Sequence, residues 1–199
     1  MEQSGSDFAR YQEILATRGI ELGLIGPREK DRLAERHILN CAVVARDAEL
    51  VPRNSSVIDV GSGAGLPGLV WAIQRPDLKV TLVDSLLRRS EFLTETVDEL
   101  GLNQRVSVIR ARAEDLTDVT ADVVTARAVA PLPRLLGWLR PLMRATGQLV
   151  LLKGAKAADE IKAAKPLAQK LGLQPAELLS IAGQGLATPT TVVCYRASN

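Results

Sequence analysis

Two carboxylates bracket a glycine-rich turn in this 199-residue chain. The first, Asp59, interrupts the apolar run Val57-Ile58-Asp59-Val60 and is followed by Gly61-Ser62-Gly63-Ala64-Gly65-Leu66-Pro67-Gly68. The second, Asp84, ends the run Val80-Thr81-Leu82-Val83 and is followed by Ser85. Glycines after a buried strand let backbone approach a ligand, and an acid at the tip of the next strand can accept both hydroxyls of a ribose. Asp84 lies 23 residues beyond Gly61, near the ~20 expected of a ribose-binding acid. The letters from Gly63 to Gly68 spell the dinucleotide pattern G-x-G-x-x-G, yet the glycine that follows the strand directly is Gly61, which gives G-x-G-x-G. A carboxylate just ahead of that turn repels a pyrophosphate. The pattern therefore favours a nucleoside ligand carrying positive charge over a dinucleotide, which stays the alternative. A turn without a ligand is the third reading, and three alternating glycines cost backbone entropy that a plain turn does not need.

Such residues need a frame that brings strand ends together, and the remaining sequence predicts one. Apolar runs at 57–60, 80–83, 106–109, 122–126 and 147–152 read as strands, and segments near 67–75, 86–100, 131–144 and 155–171 as helices. This alternation predicts an α/β fold with a parallel sheet covered on both faces. Pro67 suits the first turn of its helix, where a missing N–H is not needed. Upstream, Phe8, Tyr11, Ile14 and Leu15 recur at helical spacing up to Gly19 and Gly23, and Pro27 opens a second helix through about Arg46. Near the end, an extended segment at 175–181, a loop at 183–185 and Thr191–Tyr195 predict a closing hairpin with an antiparallel last strand. We expect a helical extension over 1–54 and a ligand-binding domain over 55–199, forming one globular unit.

Ligands of an open parallel sheet sit beyond the carboxyl ends of its strands. That rim holds Asp59 to Gly65, Asp84-Ser85, Arg112 to Asp115, Arg127-Ala128 and Lys153-Gly154. The amide of Ala113 and the acid of Glu114 can read an adenine edge. Arg127 ends the fourth strand, where an acceptor meets the ligand, and a buried arginine is costly unless paired, so it is assigned a role with ligand or acceptor.

Composition narrows the classes. No apolar run approaches the ~18 residues of a membrane span, and the polar start is no signal peptide. Cys41, Cys194 and the single histidine, His37, do not make a metal site, and the two thiols read as core residues of a reduced, cytoplasmic protein. Net charge is +2, but residues 121–199 carry ten basic and four acidic side chains while the preceding 120 are net negative. That asymmetry fits an anionic partner such as nucleic acid, or else a set of solvated helix faces. Trp71 and Trp138 fall within helices and read as packing residues.

The form G-x-G-x-G behind an acid resembles the S-adenosylmethionine loop of the seven-stranded methyltransferases, whose final strand is also antiparallel. Within that class the acceptor is narrowed by exclusion. Thr125-Ala126-Arg127-Ala128-Val129-Ala130-Pro131 lacks the Asn/Asp-Pro-Pro-aromatic tetrapeptide usual for exocyclic amines, and neither cysteine is placed for attack on a pyrimidine. An acceptor with a free lone pair, such as guanine N7, needs alignment and electrostatics but no base. His37 is accordingly a candidate at the reaction centre beside its plainer reading as a packed or capping residue.

From about Arg36 to Gly154 the chain resembles the bacterial small-subunit rRNA methyltransferase G family, also called glucose-inhibited division protein B. The resemblance rests on Arg36-His37-Ile38-Leu39, Asp59 through Gly68, Leu82-Val83-Asp84-Ser85, Arg112-Ala113-Glu114, Thr125-Ala126-Arg127-Ala128 and Leu152-Lys153-Gly154. It implies a Rossmann-like, S-adenosylmethionine-dependent methyltransferase fold. It further implies methylation at N7 of a guanine in the decoding-region loop of 16S rRNA, with the small ribosomal subunit as partner, and low-level streptomycin resistance on loss. Residue reading and resemblance together assign Asp59, Gly61, Gly63, Gly65, Leu66, Asp84, Ser85, Ala113, Glu114 and Arg127 to the cofactor. They assign Arg127 and His37 to the reaction, and Arg36, Arg88, Arg89, Lys153 and Lys156 to RNA; no metal, membrane or oligomer is expected. Two segments depart from the family pattern: Leu22 to Glu29, in place of a Trp/Asn-rich helix ending Asn-Leu-Thr, and Asn40-Cys41, in place of Asp-Ser. Other readings of the same fold are a small-molecule or protein methyltransferase, or a non-catalytic RNA-binding assembly protein.

Overall fold

A computed structural model describes residues 2–198. Its centre is a seven-stranded sheet in the order β3-β2-β1-β4-β5-β7-β6. Strands β1 (Ser56–Val60), β2 (Lys79–Asp84), β3 (Val106–Arg110), β4 (Ala121–Arg127) and β5 (Met143–Lys153) pair in parallel. Strand β7 (Thr190–Arg196) runs antiparallel to both β5 and β6 (Glu177–Ile181), as the closing hairpin predicts. Sequence order reverses between β1 and β4, which opens a crevice at their carboxyl ends. Val57 to Val60 are all buried, so an acid at Asp59 is conspicuous in a strand that should be apolar on both faces.

Two apolar cores flank the sheet. On one side, α3 (Gly68–Gln74) and α4 (Leu87–Glu99) bury Leu69, Trp71 and Phe92. Tyr11 and Ile14 of α1 (Glu2–Ile14) and the apolar residues of α2 (Asn40–Ala45) share that core, so the extension is a layer of the same unit. The indole of Trp71 donates to the carbonyl of Cys41 at 3.0 Å, tying α3 to α2. On the other side lie α5 (Leu132–Leu139) and α6 (Ala157–Lys170), around Leu135, Leu139 and Tyr195.

Three boundaries differ from the sequence expectation. The second helix expected from Pro27 to about Arg46 is broken into a 3-10 turn (Pro27–Arg32), a π turn (Leu33–Leu39) and α2. The wider π turn brings Leu33 and Ile38, five residues apart, into the core together. The helix expected over 131–144 stops at Leu139, because Pro141 lacks the N–H that another turn needs, and β5 begins at Met143. The β4–β5 ladder then shifts register between Ala121 and Val123, where a Cβ on Gly147 would lie 2.8 Å from the carbonyl of Asp122. Finally, Pro67 stands just before α3 rather than within its first turn.

Candidate cofactor and acceptor site

The turn after β1 folds tightly because Gly61, Gly63 and Gly65 all take positive φ. A Cβ at Gly61 would also sit 2.5 Å from a methyl of Val129, in the loop after β4, and one at Gly65 would sit 2.4 Å from a methyl of Leu69. Gly68 needs its small size, since a Cβ would meet Leu82 at 2.5 Å and the Asp59 carboxylate at 2.8 Å. Asp84 is 4% exposed and receives two backbone N–H groups, Gly63 on Oδ2 at 3.0 Å and Leu86 on Oδ1 at 3.1 Å. Its carboxylate thus joins the glycine turn to the start of α4 and keeps further lone pairs for a ligand.

Two adjoining cavities open along this rim. The larger, about 720 Å³, is lined among others by Gly61, Asp84, Ser85, Ala113, Glu114 and Trp138. The smaller, about 240 Å³, is lined by Gly61 to Ala64, Leu66, His37 and Arg127. Gly61, Arg89 and Ala128 belong to both. An adenosine fits the donors and acceptors of the first: an acid for the ribose, an amide and an acid near an adenine edge, and an indole beside them. The close backbone of the glycine turn, whose N–H groups at Gly61 and Gly63 are held by Val83 and Asp84, and the Arg127 guanidinium suit the amino-acid end of S-adenosylmethionine in the second. The residues present therefore fit this cofactor.

Beyond Arg127 lies a further cleft of about 550 Å³, bordered by Arg32, Glu35, Arg36, Asn40 and Thr188. Glu29, His37 and Arg127 line both this cleft and the smaller cavity. Arg127 ends β4 with Nη2 3.0 Å from Nδ1 of His37 and Nη1 3.7 Å from Sγ of Cys41. Burial pushes the Cys41 thiol up to about 11 and the Tyr11 phenol well above its usual range, so both stay protonated at neutral pH. No nucleophilic thiolate stands at this centre.

Several expected site residues take other positions. Asp59 and Gly65 do not line the cavities. Asp59 is fully buried beneath the turn, with Oδ2 accepting the N–H of Gly68 at 2.9 Å and Oδ1 without a partner. Lys153 is drawn inward to Glu160 at 2.7 Å and the carbonyl of Ala130 at 3.1 Å, and its side chain is 9% exposed. Lys153, expected at RNA, is thus engaged in an internal ion pair. Arg89 leans to the cofactor side, 3.6 Å from Asp84, whereas Arg36, Arg88 and Lys156 are exposed. Sequence reading missed Tyr11, whose hydroxyl donates to the carbonyl of Ala64 at 2.7 Å and braces the turn from α1. It also missed Trp138 as a cavity wall, with Arg134 stacked 5.6 Å above its ring. An apolar helical stripe carries no signal that distinguishes these aromatics from core. Among the described residues there is no metal-binding cluster, and no helix is long and apolar enough to cross a membrane.

Asp59 makes a direct prediction. Burial, only partly offset by the Gly68 N–H and by Arg127, raises its carboxyl to about 7. An unfolded chain ionises it near 3.9. The folded state therefore holds the proton more tightly, and its stability falls as pH rises from about 4 through 7. Asp59→Asn removes that loss. The variant's melting temperature relative to wild type is expected to climb between pH 4 and pH 8, read by thermal unfolding; a constant difference refutes the assignment.

The chain is similar to known proteins over most of its length. A family model described as rRNA small subunit methyltransferase G matches residues 4–187. Proteins named ribosomal RNA small subunit methyltransferase G are similar over most of the chain. That from Kineococcus radiotolerans is 53% identical over 93% of this chain and 72% of its own length. That from Nocardioides is 55% identical over 92% and 72%, and that from Streptomyces coelicolor is 50% identical over 94% and 77%. Among solved structures, a putative S-adenosylmethionine-dependent methyltransferase from Methanococcus maripaludis superposes with a TM-score of 0.68 at 12% identity, covering 87% of this chain and 93% of that one. An S-adenosylmethionine-dependent O-methyltransferase from Thermotoga maritima gives 0.61 at 13% identity over 86% and 70%. These two speak to the fold.

Proposed function

The chain belongs to the rRNA small subunit methyltransferase G family, and from that premise we propose that it methylates N7 of a guanine in the decoding-region loop of 16S rRNA. The enzyme is a methyltransferase that depends on S-adenosylmethionine. The observation that carries the finer reading is that the smaller cavity, which adjoins the larger one suited to an adenosine, meets an arginine-lined cleft at Arg127.

When bound, S-adenosylmethionine supplies a methyl group on a sulfonium, which leaves as a neutral thioether. Asp84 would accept the ribose hydroxyls, Ala113 and Glu114 would address the adenine edge, and the indole of Trp138 would wall the same cavity. The backbone of the glycine turn would border the amino-acid end, and the guanidinium of Arg127 would face either its carboxylate or the incoming base. Asp59 acts from beneath, fixing the turn through Gly68. Attack by N7 places positive charge on the purine and releases no proton, so the protein has to align the base and exclude water rather than supply a base. The neutral Cys41 and Tyr11 agree with that economy.

Residues 1–54 form the acceptor-side extension of the 55–199 methyltransferase domain in this reading, and the cytoplasm, where ribosomal subunits assemble, is its compartment. Exposed Arg36, Arg88 and Lys156 lie where phosphates of the small ribosomal subunit can be neutralised. Lys162 and Lys165 lie further along α6, which leads away from the strand ends. The decisive experiment maps N7-methylguanine in 16S rRNA from cells with and without the gene, then restores it with purified protein, small subunits and cofactor. Loss of one N7-methylguanine and its restoration are expected. An unchanged rRNA, with methyl transfer to another acceptor, overturns the assignment.

A further inference from the structure

Building on that reading, we propose that His37 is a positioning residue for Arg127, holding the guanidinium through the lone pair of Nδ1 instead of moving a proton. An arginine has donors only. The 3.0 Å contact between Arg127 Nη2 and His37 Nδ1 therefore requires an unprotonated Nδ1 and places the ring proton on Nε2. Nε2 in turn lies 3.3 Å from Oε2 of Glu29, off the line of a hydrogen bond but within attraction of the carboxylate. Arg36 holds the other oxygen of Glu29 at 3.4 Å. The result is a run of alternating partners, Arg36, Glu29, His37 and Arg127, passing from the exposed cleft to the end of β4.

The local fold makes this arrangement. The π turn Leu33–Leu39 buries Leu33 and Ile38 and leaves His37 facing β4, while Glu29 reaches it from the preceding 3-10 turn. Cys41 supports the far side of the guanidinium as a protonated thiol. The charged groups that face His37 are Arg127 from β4, Glu29 from the 3-10 turn and Arg36 from its own turn. Arg89 of α4 lines the smaller cavity with it, and Arg32 and Glu35 border the cleft on its other side. Burial first, and the Arg127 charge second, hold the imidazole below its ordinary range, so it is neutral at pH 7. Protonating Nδ1 would remove the acceptor and set two cations against each other. The lone pair is thus committed, and His37 is a poor base for any acceptor in the cleft.

His37 is the chain's only histidine, so its ring nitrogens are read without ambiguity by 15N NMR. The neutral Nε2–H tautomer is expected at pH 7, with a midpoint below 6.5 that rises in Arg127→Ala and falls further in Glu29→Gln. Methyl transfer gives the second readout. His37→Asn sets an amide oxygen near the Nδ1 position and is expected to keep kcat within a few-fold. His37→Gln and His37→Ala leave Arg127 loose and are expected to lose about tenfold or more in kcat, with little change in cofactor affinity. The acid limb of the wild-type pH profile, falling as His37 gains a proton, should disappear in His37→Asn. An Nδ1–H tautomer, a midpoint unmoved by Arg127→Ala, or a folded His37→Asn as impaired as His37→Ala overturns the proposal. If the wild type transfers no methyl to rRNA, the functional reading fails, while the NMR titrations still decide the role of His37.

Discussion

Arg127→Ala is expected to lower turnover on small ribosomal subunits by about 10²-fold or more while the protein stays folded, as loss of an orienting electrostatic group does. The side chain is half-buried at the end of β4, between the glycine turn and the arginine-lined cleft. Its position is held from two sides, by His37 and by Cys41. A guanine presents N7 and O6 together, and a two-pronged arginine contact would occupy the lone pair that must attack. Arg127 is therefore assigned to O6 alone, to a phosphate, or to the carboxylate of the cofactor. Single-turnover methyl transfer and calorimetry separate these. A fall in rate with cofactor affinity intact places the guanidinium on the acceptor, and a fall in affinity places it on the cofactor. Near-normal methylation by a folded variant shows that alignment comes from elsewhere. Arg127→Lys keeps charge without the planar fork, and recovers little if geometry rather than charge is what the site uses.

How far this site could be read from the letters depended on the range of each interaction. Asp59, the glycines and Asp84 lie within one strand–turn–helix–strand unit, so their spacing alone indicated a nucleoside site. The alternation of apolar runs likewise carried the parallel sheet, and the altered rhythm after Leu173 carried the antiparallel closing strand. What the letters did not carry was contact across the chain. Tyr11 reaches Ala64 over 53 positions and Arg127 reaches His37 over 90. Trp138 looks like any apolar helix residue until α5 is laid beside the loop at Ala113. The partner of Lys153 was not legible either: it sits in a basic half of the sequence, yet Glu160, one helical turn inside α6, pairs with it. Breaks in the helix from Pro27 to Arg46 were invisible because a π turn needs no special residue, only a core that rewards burial at a spacing of five.

Asp84→Ala is expected to weaken S-adenosylmethionine binding by roughly 10- to 100-fold, about 1.5–3 kcal/mol, the scale of losing charge-assisted hydrogen bonds at a buried carboxylate. Two effects combine. The ribose loses its acceptor, and the N–H groups of Gly63 and Leu86 lose the oxygens that now satisfy them. Because Gly63 carries positive φ and belongs to the turn that lines the smaller cavity, freeing its N–H also loosens the backbone that borders the amino-acid end. The two effects can be told apart by pairing the variant with a 2′,3′-dideoxy form of the cofactor. If the ribose contact dominates, wild type and Asp84→Ala bind the dideoxy compound with similar affinity, and the double cycle shows strong coupling. If the turn dominates, the variant loses as much with the dideoxy compound as with the parent. Unchanged affinity for the parent in a folded Asp84→Ala variant removes the ribose assignment, and with it the orientation of the nucleoside in the larger cavity.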